Sequence, residues 1–213
     1  MALRVDRNRV KALFTSGIDA VVAQSELLQG TSWAAAACGE WSANDTVRHV
    51  LCVSRWYHSW LDRALTGDTS RPFDAAAMDE ENAAALEALG PVAGPEAARQ
   101  FSISAHDYLE RVDDSWDVPY GYPYGLVTAG LHAGIAATEW HLHAWDLSTV
   151  TGREHVPNDA EGLFLAAGAC LAARAGGVRG ALMSVVVPLA ARRSPWKSMV
   201  ERSGRGRAAR RHA

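Results

Sequence analysis

The sequence predicts an all-α fold. Three observations lead there. The chain is rich in Ala, the best helix former; apolar residues recur at helical spacings of three and four; and Val and Ile are scattered rather than gathered into alternating strand runs. The 213 residues suit one domain, and 48% hydrophobic residues are enough for a sizeable core.

The elements follow in order. A first helix is expected over 6–28, where Val10, Leu13, Phe14, Ile18, Val21 and Leu28 fall largely on one face and Gly30 supplies a stop. A short loop holds Trp33, Cys38, Gly39 and Trp41. Ser42 is a good N-cap for a second helix, with Asp45 three residues on, and Gly67 ends it. On that helix His49, Val53, Trp56 and Trp60 share a face. A short Ala-rich helix is expected over 75–89, closed by Gly90 and Pro91, and a third long one over 95–112.

Next comes DDSWDVPYGYPYG, a turn-rich stretch crowded with aromatic rings. A fourth long helix is expected over 126–151 with Gly152 at its end, and a further helix over 158–174. Beyond it, MSVVVP reads as a short strand and SPWKSMVERSG as a last turn or two of helix.

Charge and cysteine usage narrow the function classes. The net charge of −3 hides an asymmetry: from Pro188 onward eight Lys or Arg stand against one acid (+7), leaving 13 basic and 23 acidic residues elsewhere (−10). An acidic body argues against nucleic-acid binding as the main task. The basic tail, SGRGRAARRHA, is read as a solvated terminus, with nucleic acid or membrane contact as the alternative. The opening MALRVDRNRV lacks the apolar stretch of a secretory leader, and the apolar run at 163–173 is too short to cross a membrane. Cys38, Cys52 and Cys170 show no paired spacing, which suits a reducing cytoplasm.

The chemistry-bearing segment is TEWHLHAWDL. Glu139 and His143 are four apart, so they lie about 40° apart around a helix and one turn along it. If the second and fourth long helices are neighbours, His49 joins them, and two imidazoles and a carboxylate converge inside the bundle. Burying them without a partner is costly, and a divalent cation removes that cost. This ligand set occurs at catalytic zinc sites with an open position, and also at non-haem iron sites, so ligand type leaves the metal open, with zinc the expected ion. Two other readings stand beside it: a non-catalytic metal- or small-ligand-binding protein, and a metal-free bundle in which Glu139 and His143 merely pair.

Three blocks carry a family resemblance. CGEWSANDTVRHV matches C-x-x-W-S/T-x-x-D-x-x-x-H, EWHLHAWDLSTVTG matches E-x-x-x-H-x-W-D-x-x-x-x-T-G, and VVVPLAARRSPWKSMVERSGR resembles a C-terminal segment ending in a Gly-Arg pair. The sequence thus resembles the DinB-like metalloenzyme superfamily, of the mycothiol-dependent maleylpyruvate isomerase N-terminal type. The resemblance implies a DinB-like four-helix bundle, here with extra short helices, over 1–176, and a short C-terminal extension over 177–213. It implies His49, Glu139 and His143 as metal ligands, and mycothiol or a similar thiol as cosubstrate. Such a protein is an S-transferase or isomerase acting on a small electrophile, as a monomer or homodimer. A metal-bound thiol is available as thiolate at neutral pH. Addition of that sulfur to an activated double bond permits rotation and elimination, hence isomerisation; displacement of a leaving group gives transfer. The isomerase carries a second, α/β domain for which 177–213 is too short, so a related thiol transferase is expected rather than maleylpyruvate turnover.

No catalytic residue is singled out beyond the ligands. Asp146 is either a hydrogen-bond partner of His143 or a helix-surface acid. His132, two turns before Glu139, lines the pocket or is a satisfied buried histidine. Arg55 and Tyr120, Tyr122 and Tyr124 are candidates for contacting a polar or anionic substrate. Cys52 reads as a small hydrophobe, and His58 and His141 point away from the ligand face.

Overall fold

The computed structural model describes residues 5–191 and 194–205. Eight α-helices are found among them: α1 (Arg7–Leu27), α2 (Ala43–Leu65), α3 (Met78–Leu89), α4 (Gly94–Asp114), α5 (Ala129–Thr151), α6 (Ala160–Ala175), α7 (Gly177–Ala191) and α8 (Pro195–Arg202). Two small antiparallel hairpins interrupt them, β1 (Ala36–Cys38) with β2 (Trp41–Ser42) and β3 (Pro119–Tyr122) with β4 (Gly125–Thr128). The expected all-α bundle is therefore present.

The bundle proper is α1, α2, α4 and α5. Helix α1 packs on α5 and α4, while α2 packs on α4 and α5. Their shared interior is aromatic. Trp140 of α5 meets Phe14 of α1 edge-on at 6.0 Å and Phe101 of α4 at 4.9 Å, and all three rings are fully buried. Edge-to-face pairs of this kind add about 0.5–1.5 kcal/mol beyond the area they bury. Helices α1 and α5 approach so closely that a Cβ on Gly17 would lie 2.9 Å from Trp140 Cβ.

Helix starts follow the sequence signals. Ser42 caps α2 by accepting from the Asp45 amide at 3.1 Å, and its hydroxyl donates to Asp45 Oδ2 at 2.6 Å. Gly152 ends α5 in the left-handed conformation, φ 69°, where a Cβ is disfavoured.

Two expectations change. The stretch 125–128 is strand rather than the start of α5, because it pairs with 119–122 in the register Tyr120↔Val127 and Tyr122↔Gly125. Thr128 then caps α5 through the Leu131 amide. The MSVVVP stretch is helical and lies inside α7. Its β-branched residues favour a strand locally, but α7 packs on α6 so tightly that Val187 Cγ1 occupies the place of a Cβ on Gly168. Tertiary contact overrides local preference there. Helix α8 also packs on α6. No helix among the described residues is long and apolar enough to cross a membrane.

Candidate metal centre

His49 sits in the second turn of α2 and is buried, 8% exposed. Glu139 and His143 follow each other by one turn on α5. Because α2 and α5 are neighbours, the His49 and His143 rings meet with centroids 5.0 Å apart at 70°. All three residues line one cavity of about 160 Å³.

The donor atoms are unevenly satisfied. His143 Nδ1 donates to Asp146 Oδ2 at 3.0 Å, which fixes its tautomer and leaves Nε2 with a lone pair. His49 Nδ1 is buried without any hydrogen-bond partner. Glu139 forms no hydrogen bond or ion pair with another described side chain. Burial, with His143 and Arg205 nearby, pushes His49 well below the ordinary histidine range, so it stands as a neutral imidazole. Two imidazoles and a carboxylate around one cavity form a donor set that fits a divalent cation.

Asp146 is almost fully buried, 1% exposed, and receives three elements at once. Besides His143, Arg205 grips it with Nε to Oδ1 at 2.7 Å and Nη2 to Oδ2 at 2.9 Å. Burial opposes ionisation of Asp146, but the hydrogen bonds and charges of His143 and Arg205 hold its carboxyl below the usual range. Cys38, on β1, completes the group. Among the described residues, Cys38, His143 and Asp146 form the set of three potential ligands whose atoms all lie within 4.8 Å of one another. The ligand atoms of His49, Glu139 and His143 do not close to that mutual distance. Burial and then Asp146 push the Cys38 thiol up to about 12, so it carries its proton at neutral pH.

The rest of the cavity is aromatic. Trp56 and Trp60 stack at 5.9 Å and 20° on one side, and the β3–β4 hairpin brings Tyr122 and Tyr124 to the other. His132 also lines it, fully buried, with Nδ1 hydrogen-bonded to the Tyr108 hydroxyl at 2.9 Å and pushed down to about 3 by burial. No Lys or Arg is among the lining residues.

Several candidates lie elsewhere. Arg55 is exposed on α2 and donates to Gln100 on α4 at 2.9 Å, because its position is rotated off the His49 face. Tyr120 is core, its ring tilted 33° against His132 at 4.4 Å. Cys52 is buried and its thiol points to the Ala85 carbonyl on α3 at 3.5 Å. His58 bonds the Ser104 carbonyl, and His141 faces α1 through the Leu13 carbonyl.

Three contributors had no role from sequence. Cys38 and Trp41 were part of the C-x-x-W block; the first reaches Asp146 and the second packs on His49 at 4.7 Å. Arg205 lies in the stretch read as a solvated tail, and the signal for it was the Gly-Arg pair. The tail reading is corrected at that residue, whose side chain is 15% exposed; 206–213 lie outside the described residues.

A family model described as the mycothiol maleylpyruvate isomerase N-terminal domain matches residues 14–148. That span contains His49, Glu139, His143 and Asp146. No curated protein and no solved structure matches the chain.

Proposed function

The chain belongs to the mycothiol maleylpyruvate isomerase N-terminal domain family, and on that premise we propose a metal-dependent, low-molecular-weight-thiol S-transferase or isomerase acting on a small electrophile. The observation that carries it is the meeting of His49 and His143 from two helices on the wall of the cavity that Glu139 also lines. In this reading those three residues hold one divalent ion, zinc being the expected metal, and mycothiol or a similar thiol is cosubstrate. The bound ion supplies a thiolate at neutral pH by lowering the thiol pKa.

The chain's own residues do the remainder. Asp146 holds His143 in the ligating tautomer. Trp56, Trp60 and Tyr122 exclude water and offer flat faces to an unsaturated or apolar substrate. Tyr124 and Asn82, the latter with a buried Oδ1 that has no hydrogen-bond partner among the described residues, are the polar anchors on the wall for the thiol's polar body. Among the described residues the wall carries no Lys or Arg, which favours an uncharged electrophile over a dicarboxylate. Three free cysteines accord with a cytoplasmic setting, and a monomer or homodimer suffices, since each site is built within one chain.

A second ligand set is favoured by one observation, the mutual proximity of Cys38, His143 and Asp146. Against it, Asp146 is already held by an arginine in a two-pronged contact. The test is metal analysis of the purified chain and its variants, followed by a thiol-consumption assay across electrophile classes with and without chelator. About one ion per chain is expected, lost in His49→Ala and Glu139→Ala and retained in Cys38→Ser. Unchanged metal in Glu139→Ala with loss in Cys38→Ser would move the centre to the second set. Metal without chelator-sensitive thiol turnover would leave a metal-binding protein rather than an enzyme.

A further inference from the structure

Arg205 is separated from Asp146 by 59 positions in the chain, yet its guanidinium makes a two-pronged contact with that carboxylate. The route is built. Helix α8 is fastened to the body by Met199 and Val200, both buried, and by Trp196, which packs against the core and meets His155 edge-on at 6.0 Å. Gly204, at φ 85°, then turns the chain, a conformation costly for a side-chain-bearing residue.

The consequence for Asp146 is electrostatic. A carboxylate 1% exposed, with an imidazole nitrogen and a thiol as its other neighbours, needs a permanent countercharge, because removing one partner of a buried charge is strongly destabilising. Arg205 supplies that charge and, by gripping both oxygens, fixes the plane in which Oδ2 meets His143 Nδ1. The fork matters because two parallel N–H donors fix the plane of the carboxylate, which a lysine does not do.

We propose that Arg205 is a positioning residue and that the α8 segment is a strap whose docking is coupled to metal binding at His143. The strap, once docked, presets the His143 imidazole as a ligand; a metal on His143 in turn holds the strap. Such coupling is reciprocal by thermodynamic necessity. The inference rests on His143 being a ligand of the proposed centre.

The test uses the full chain, with zinc affinity measured by chelator competition and hydrogen exchange followed over 195–205. Arg205→Gln is expected to weaken zinc by about 10- to 100-fold, the usual range for residues behind a metal ligand, with Arg205→Lys in between. Zinc is expected to slow exchange of the strap in the native chain and not in Arg205→Gln. In an Asp146→Asn background, Arg205→Gln should cost no further affinity, since the charge it serves is gone. Unchanged zinc affinity in folded Arg205→Gln and Arg205→Lys, even with a lower apo melting temperature, would overturn the strap while leaving the centre intact. Failure of the native chain to bind zinc would overturn the centre itself, and the strap with it.

Discussion

His143 and Asp146, three residues apart on α5 and both buried, are joined by a 3.0 Å hydrogen bond from Nδ1 to Oδ2. The bond decides which imidazole nitrogen keeps a lone pair. In the proposed centre, that is what prepares His143 as a ligand.

Asp146→Asn should therefore lower zinc affinity by roughly 10- to 100-fold, because an amide does not hold the imidazole N–H as a carboxylate does. Chelator competition on folded protein measures it. Equal affinity in Asn and Asp forms would show that His143 needs no such support.

Binding of the thiol should depend on the metal. At 100 times its dissociation constant, a ligand of the native state adds about 2.7 kcal/mol of stability. Mycothiol is expected to raise the melting temperature of zinc-loaded protein and leave apo protein unmoved. Equal protection of both forms would detach the thiol from the metal.

The α1–α5 contact should resist any added side chain at Gly17. A Cβ there meets Trp140 Cβ at 2.9 Å and the Ala137 carbonyl at 3.3 Å, neither of which is a flexible tip. Gly17→Val is expected to cost about 1–3 kcal/mol, in the range of overpacked cores. Denaturant melts will show it, and a neutral result would mean the two helices slide apart freely.

Acid should unfold the protein through buried neutral histidines. Burial pushes His132 down to about 3, and His141 and His155 down to about 4, each from 6.5. His141 and His155 also share a 3.0 Å hydrogen bond between stacked rings, where a second proton would set charge against charge. The unfolded chain takes up protons first as pH falls below 6.5. Stability is thus full above 6.5 and is lost between 6.5 and about 4 for His141 and His155, and on down to about 3 for His132, by at most ~1.4 kcal/mol per pH unit for each histidine. His155→Gln should flatten this acid limb in pH-dependent melts; an unaltered limb would place the effect elsewhere.

Helix spacing, the Ser42 cap and the Gly152 stop made most of the bundle legible, because those signals act within a turn or two of the chain. The residues of the candidate centre were legible for the same reason. Glu139 and His143 announce themselves by being four apart, and His49 by its face. What local pattern cannot carry is a contact between distant segments. The strand-like MSVVVP became helix because Val187 packs on Gly168. Arg55 fell outside the cavity because helix rotation, not residue type, decides its direction.

By itself, then, the sequence determined the helices of the bundle proper and most of their capping, since periodicity and capping chemistry are properties of short windows. Only the tertiary structure decided that Cys38, His143 and Arg205 converge on one carboxylate. A buried charge must find its partners wherever the chain brings them, and here one partner comes from the far end of the described chain.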